Sequence, residues 1–235
     1  MYTKKYFVET SDSDPFLDLK LSSLFLYMQD AATDHVESLG YGKKATMDKG
    51  MFWVIIRYSL TIYRMPKYLE TINVTTYPGK DMKFIFPRYF EITDEQGNLL
   101  VKAASTWCIL DKSTHKIVLK PFETWNVNEE HILNEEELCP KIEDINTEFV
   151  EERKVRYGDT DLNGHLNNTK YIDYILDIHS KDFYKTHKIK HFEINYEHEL
   201  MCDDIVRIES KLVDNNEYVK GFVNNQISFR AKIIY

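Results

Sequence analysis

The sequence predicts an α+β chain in which one module, an amphipathic helix followed by consecutive antiparallel strands, is used twice. Three observations carry this. Residues 8–30 lie over residues 155–177 without a gap: Val8 meets Val155, Asp12 meets Asp159, Asp14 meets Asp161, Leu19 meets Leu166, Tyr27 meets Tyr174 and Asp30 meets Asp177. Each segment runs into a helical pattern. Each helical pattern is followed by strand-like runs broken by turns, which suggests an antiparallel sheet wrapped against a helix. At 235 residues the chain has room for two such modules.

Residues 4–9 read as a short strand. Leu21, Leu24, Phe25, Met28 and Ala32 then recur at the i, i+3, i+4, i+7 spacing of an amphipathic helix. Ser22 or Ser23 is a capping candidate, and Gly40 and Gly42 end the helix. Strands follow over 52–63, 71–77, 84–93 and 99–110, with a short one over 116–119. Turn residues separate them at 65–66, 78–79, 95–98 and 111–113. The second half repeats the order: a strand over 149–157, then a helix over 168–182 with Tyr171, Tyr174, Ile175 and Ile178 on one face. Strands over 191–196, 205–213, 218–223 and 227–234 complete it. The boundaries implied are a first module over 1–118, an acidic connection over 119–148 and a second module over 149–235.

Hydrophobic residues make up 43% and aromatics 14%, enough for a substantial core, and 8 Gly with 6 Pro argue against low complexity. No run of about 20 apolar residues is present, so no spanning helix is expected. The opening 1–14 lacks the apolar core of a secretory signal and reads directly as a first strand. Cys108, Cys139 and Cys202 are odd in number and widely spaced, pointing to reduced, buried thiols in a cytoplasmic protein. The net charge of −8 is uneven: residues 119–148 carry −7, leaving about −1 for the rest. An acidic total argues against nucleic-acid binding. A solvated crossover is the reading of that segment.

The chemistry concentrates in residues 159–165, which hold Asp159, Asp161, Asn163, Gly164 and His165 just before the second helix. Such a cluster is costly near a core unless its polar groups are paired or used. In the first copy Phe16 stands where Asn163 is and Asp18 where His165 is, so the cluster is complete only in the second. Asp159 reads as structural, because Asp12 persists in the copy that lacks Asn and His. Asn167 and Asn168 read as helix caps first and substrate contacts second. His187, His191 and His198 form no closed ligand pattern, so no metal is expected.

A strand, the turn Gly158-Asp159-Thr160-Asp161 leading to Gly164-His165 and Asn167-Asn168, a central helix and a strand meander together resemble the hotdog thioesterases. Two such modules in one chain resemble the acyl-acyl-carrier-protein thioesterases, which carry a DxNxH motif, here Asp161, Asn163 and His165. They also carry a glutamate in the following strand, which here is Glu199 within Tyr196-Glu197-His198-Glu199. Phe52-Trp53-Val54, Arg88-Tyr89-Phe90-Glu91 and Ala104-Ser105-Thr106-Trp107 look like further landmarks, so the resemblance covers nearly the whole chain.

The resemblance implies a tandem double hotdog and hydrolysis of fatty acyl-carrier-protein thioesters to free fatty acid, without a cofactor. Glu199 would be general base or carboxylate nucleophile. His165 would hold water or carbonyl and move a proton. Asn163 would bind the carbonyl oxygen, and Asp161 would orient its neighbours or act directly. Gly164 would leave room for the thioester, and free N–H groups at the helix start near 167–169 would meet the oxyanion. Where some members have Cys after the glutamate, this chain has Leu200; the nearest thiol, Cys202, reads as a buried or edge-strand residue.

The chain-length pocket is implied to lie in the first half, where Trp53 and Trp107 are candidate substrate contacts. The partner implied is an acyl-carrier protein, docking on a basic rim drawn from Lys43, Lys44 and Lys49 or Lys181, Lys185, Lys188 and Lys190. The chain itself would be a monomer or homodimer. An acyl-CoA thioesterase on the same fold is the alternative enzyme. A non-catalytic acyl-binding module is the alternative of another class.

Overall fold

The computed structural model describes residues 1–80, 82–119, 121–122, 139–161 and 163–235 and divides the chain into two units, Met1–Cys139 and Pro140–Tyr235. The first unit holds β1 (Tyr2–Phe7), α1 (Leu21–Ser38), α2 (Lys43–Met47), β2 (Met51–Ile62), β3 (Thr71–Pro78), β4 (Phe86–Asp94) and β5 (Leu99–Asp111). Its strands pair antiparallel in the order β1-β3-β4-β5-β2. Helix α1 buries Leu21, Leu24, Phe25, Tyr27, Met28, Ala31, Ala32 and His35, one continuous stripe at helical spacing. It packs on β1 and β3, where Ile72, Val74 and Thr76 alternate inward.

The second unit holds β6 (Glu148–Lys154), α3 (Asn168–Leu176), α4 (Phe183–Thr186), β7 (His191–Tyr196), β8 (Ile205–Val213), β9 (Asn216–Val223) and β10 (Gln226–Ile234). Its strands run antiparallel in the order β7-β10-β9-β8-β6. Phe192, Ile194, Val206, Ile208, Val219, Phe229, Ala231 and Ile233 are fully buried, with Tyr171, Ile172 and Ile175 of α3 also inside. Each large apolar side chain of this set contributes about 2 kcal/mol by leaving water. Between β9 and β10 the register slips at Ser228, an extra residue between the pairs Ile227–Phe222 and Phe229–Gly221. A Cβ at Gly221 would lie 2.0 Å from the Phe229 ring. That glycine lets Phe229 pack edge-on against Tyr171, with ring centroids 5.5 Å apart.

Several expectations are corrected. Helix α3 ends at Leu176 instead of continuing to 182, because the Tyr184 hydroxyl donates to the Leu176 carbonyl at 2.6 Å and the chain restarts as α4. Helix α1 starts after Lys20 with no side-chain cap from Ser22 or Ser23. The strand expected over 116–119 is a single bridge between Leu110 and Ile117. The strand expected over 149–157 stops at Lys154, where the chain enters a 3-10 turn, Tyr157–Asp159.

Of the acidic connection, residues 120 and 123–138 lie outside the described residues, and with them Lys120, Glu123, Glu129, Glu130, Glu135, Glu136 and Glu137. The stretch after them is tied to its own unit. Ile142 N–H donates to Asn195 Oδ1 at 3.0 Å, Asn195 Nδ2 donates to the Pro140 carbonyl at 3.2 Å, and Asp144 pairs with Lys220 and Arg230. Among the described residues no helix is long and apolar enough to cross a membrane.

Candidate active site

The loop between β6 and α3 is built by two aspartates. Asp159 closes the 3-10 turn: its Oδ2 accepts from the Arg156 N–H at 3.0 Å and from the Tyr174 hydroxyl at 2.9 Å. Asp161 closes the next turn, its Oδ1 accepting from the N–H groups of Asn163 at 2.8 Å and His165 at 3.3 Å. Its Oδ2 accepts from Asn163 Nδ2 at 3.3 Å, which turns the amide oxygen of Asn163 away from Asp161. This is an Asx turn extended by one residue, in which Gly164 takes φ +83°, a conformation glycine adopts without strain. A Cβ at Gly164 would meet nothing within 4 Å, so the glycine answers to backbone conformation. Asn167 caps α3, its side chain accepting from the Thr169 N–H at 3.0 Å and the Thr169 hydroxyl at 2.9 Å. Asn168 opens the helix, and its carbonyl accepts from the Tyr196 hydroxyl at 3.2 Å.

Glu199 reaches this loop from the end of β7. The preceding N–H groups, of Glu197 and His198, both donate to the Ser228 carbonyl at 2.8 and 3.1 Å, and the Ser228 hydroxyl donates to the His198 carbonyl at 2.6 Å. The following residue, Leu200, is fully buried, and its carbonyl accepts from Leu166 N–H at 2.7 Å. Fixed on both sides, Glu199 Oε2 stands 3.5 Å from His165 Nδ1. The two side chains keep 47% and 25% of their surface open, so substrate can reach them. His165 Nε2 has no partner among the described residues.

Two residues outside the predicted set border the site. Tyr171 is buried on α3; burial raises its phenol well above the usual value, and the charges of Glu199 and Asp161 add to the rise. The Ser228 hydroxyl and the Leu200 backbone beside it work the other way. Tyr171 was legible as a member of a helix face. Ser228, at the bulge, left no sequence signal.

The remaining candidates fall elsewhere. Trp53 and Trp107 belong to the first unit, where both pack on Met51, Phe86 and Ile109. Trp53 Nε1 donates to the Tyr41 carbonyl at 2.9 Å and Trp107 Nε1 to Ser105 Oγ at 2.8 Å. Cys108 and Cys139 are buried, but Cys202 is exposed in the turn after Glu199, not buried or in a strand as expected. The reason is local: its neighbour Asp203 adopts φ +74° and turns the chain outward toward β8. His187 stacks on Phe183 and His191 pairs with Glu193 at 2.9 Å. Among the described residues no group of three or more His, Cys, Asp or Glu converges as metal ligands would.

The chain matches the model of the acyl-ACP thioesterase N-terminal domain over residues 1–124 and that of the C-terminal domain over residues 142–233. It is 26% identical over 211 residues to a chloroplastic palmitoyl-acyl carrier protein thioesterase of Gossypium hirsutum, covering 83% of this chain and 51% of that protein. To the chloroplastic oleoyl-acyl carrier protein thioesterase 2 of Arabidopsis thaliana it is 24% identical, covering 87% and 61%. The chain spans about half the length of the first curated relatives it matches. Two solved structures share its fold, each at a TM-score of 0.86 over 99% of this chain and 96% of the other. One is an acyl-ACP thioesterase from Bacteroides thetaiotaomicron (24% identical), the other the 12:0-ACP thioesterase from Umbellularia californica (19%). The helix-wrapped sheets are therefore hotdogs, and with both halves matched the chain belongs to the acyl-ACP thioesterase family.

Proposed function

We propose that this chain hydrolyses fatty acyl thioesters of acyl-carrier protein, releasing free fatty acid, at the cluster Asp161, Asn163, His165 and Glu199. The observation that carries the reading is the approach of Glu199 to His165 at 3.5 Å beside a loop whose backbone Asp161 holds. Water is the second reactant. Glu199 takes a proton from it, the water oxygen bonds to the thioester carbonyl carbon, and the C–S bond breaks. The proton then passes through the Glu199–His165 pair to the leaving thiolate. If Glu199 attacks directly, the same atoms balance through an anhydride that water opens. The Asn163 amide and the N–H of Asn168 are the donors offered to the oxyanion, since the N–H groups of Asn167, Thr169 and Lys170 are already taken by Asp159 and Asn167.

In this reading the first module (1–118) contributes the acyl-chain pocket with Trp53 and Trp107, the second (149–235) the chemistry, with Asn167 and Asn168 as substrate contacts. The carrier protein is the partner, met by a basic rim. Within that rim Lys185 already pairs with Asp182, Lys190 donates to the Tyr235 carbonyl at 3.2 Å and Lys49 lies over the Phe122 ring, while Lys43 and Lys44 on α2 form the adjacent pair we take as the docking candidates. We place the chain in a reducing compartment, the cytoplasm, where Cys108, Cys139 and Cys202 stay thiols.

Thiol release from parallel panels of acyl-carrier-protein and acyl-CoA thioesters, with wild type beside Glu199→Ala, tests this. Carrier-protein turnover that the substitution abolishes while the melting transition is kept supports the proposal. Turnover confined to CoA esters moves it to the other carrier. Activity untouched by the substitution rejects the site.

A further inference from the structure

The buried face of the first sheet carries a row of polar groups that hydrolysis does not use. Tyr58 on β2, Ser105 on β5 and Arg88 on β4 are in register across three adjacent strands, so their side chains share one face. Helix α1 brings His35 to the row and β3 brings Thr76: Arg88 Nη1 lies 3.1 Å from His35 Nδ1 and donates to Thr76 Oγ1 at 3.1 Å. All five are buried, Arg88 to 5% and Tyr58 to 1% exposure.

Two features of this row are unfavourable as they stand. Arg88 has no carboxylate partner among the described residues, and its Nε and Nη2 donors engage none of them. The Tyr58 hydroxyl is wholly buried and makes no well-formed hydrogen bond among the described residues, with the Ser105 hydroxyl as the polar group beside it. Proteins keep uncompensated buried donors and charges chiefly where function needs them.

The chemistry left open is one-sided. Burial and the neighbouring guanidinium hold His35 down at about 4, so at neutral pH its Nδ1 accepts from Arg88. Ser105 Oγ accepts from Trp107 Nε1 at 2.8 Å and donates to the Arg88 carbonyl at 3.4 Å; Thr76 Oγ1 donates to the Tyr89 carbonyl at 3.0 Å. The open capacity is therefore mostly donors, two on a cation and one on a phenol whose oxygen can also accept. A ligand made only of acceptors and carrying negative charge fits them: a carboxylate. Phe25, edge-on to Tyr58 at 4.7 Å, and Phe90, at 6.1 Å from it, make the surroundings apolar, so that carboxylate must arrive on a hydrocarbon body.

We propose that the interior of the first unit binds the carboxylate of an aliphatic acid between Arg88 and Tyr58. The carboxylate comes either from a free fatty acid or from the far end of a chain esterified at its other end. The site rests on the first unit alone, so it stands or falls apart from the hydrolytic reading.

Calorimetry on the full chain tests it with dodecanoate against 1-dodecanol. A second arm compares the CoA thioester of dodecanedioic acid with dodecanoyl-CoA, in a Glu199→Gln background so that no turnover intervenes. Wild type is expected to prefer the carboxylate in at least one arm by about tenfold. Tyr58→Phe removes one oxygen and no volume. It should cut that preference several-fold while the ligand-free protein melts no lower, since an unpaired buried hydroxyl is lost. Arg88→Gln should abolish the preference. A preference seen with dodecanoate assigns the free acid as source, and one seen only with the thioester assigns the far end. No preference in either arm, or a preference that survives both substitutions, overturns the site. Thiol release, measured separately, reports on hydrolysis whatever calorimetry gives.

Discussion

The same loop is folded twice in this chain, and the three candidate reactive side chains stand in only one of the copies. Asp12 accepts from the Glu9 N–H and the Tyr27 hydroxyl as Asp159 does from Arg156 and Tyr174. Asp14 Oδ1 accepts from the N–H groups of Phe16 and Asp18 at 2.7 and 2.9 Å, as Asp161 does from Asn163 and His165. Leu19 N–H donates to the Pro66 carbonyl where Leu166 donates to Leu200, and the bridge Asp18–Lys67 repeats as His165–Met201. That register pairs Met65 with Glu199. Where the second copy offers Asn163, His165 and Glu199, the first has Phe16, Asp18 and Met65, and Asp18 forms an ion pair with Lys67. The comparison teaches that the aspartates and backbone bonds make the loop, while the candidate reactive groups are laid over it.

The largest effect should therefore separate the copies completely. Glu199→Gln and His165→Ala are expected to lower kcat by about 10²–10⁴-fold, with stability kept within about 0.5 kcal/mol because both side chains are partly open. Asp18→Asn in the first copy should leave kcat/KM unchanged and show only in urea unfolding. A comparable loss of turnover from Asp18→Asn would break the comparison.

Loop construction predicts a smaller, shared effect. Asp14→Ala and Asp161→Ala each leave two N–H groups without their acceptor, a cost of roughly 1–3 kcal/mol in urea unfolding. Only Asp161→Ala should also lose activity. Asp161→Asn keeps the accepting oxygen and should recover most of the stability; if it recovers the turnover as well, the negative charge of Asp161 is not needed for the chemistry.

Acid should distinguish the two units by pH window. In the first, His35 is held down at about 4 by burial and by Arg88, against an ordinary 6.5. The unfolded chain thus binds the proton first. Stability is full above pH 6.5 and falls as pH drops from 6.5 toward 4, by on the order of 2 kcal/mol. In the second, burial works against the Glu217 carboxylate, but bonds from His179, Ser210 and Tyr235 hold it below 4.5. Its contribution is present above 4.5 and lost only as pH falls below that. Trp53 and Trp107 lie in the first unit, so their emission reports on it. His35→Gln should flatten the emission-detected loss between pH 6.5 and 4, and an unchanged slope would reject the assignment.

Much of this was legible in the sequence, but unevenly. The first stretch of the repeat could be read because its hydrogen bonds run through side chains that must be Asp or Tyr, so identity survives at 12, 14 and 27. The partner stretch could not. Residues 64–70 and 198–204 share no identical pair, yet Leu69 and Asp203 both take positive φ, and Lys67 N–H donates to Glu70 as Met201 N–H does to Asp204. Backbone bonds fix that turn, and Glu or Asp closes it equally well. Strands 191–196 and 205–213 were read to the residue because apolar alternation and turn residues agree there. The end of α3 was not, since it depends on a hydroxyl eight residues further along the chain. The placement of Glu199 depends on a bulge at Ser228, a matter of register that composition does not encode.

The smallest expected effect concerns a single position in the loop. Leu17 and Gly164 occupy matching places, at φ +62° and +83°, so the first copy tolerates a side chain where the second has none. If Gly164 serves only the backbone, Gly164→Ala should cost about 1 kcal/mol of strain, and Leu17→Gly should return a similar amount in the first copy. Nothing lies within 4 Å of a Cβ at Gly164, and Leu17 is exposed, so neither change needs repacking. Turnover decides what the glycine is for. Activity kept in Gly164→Ala, with only a lowered unfolding midpoint, makes it a conformational requirement common to both loops. A fall of a hundredfold at the same small loss of stability would mean that the thioester passes over this residue, which the first copy, with Leu17 in place, could not allow.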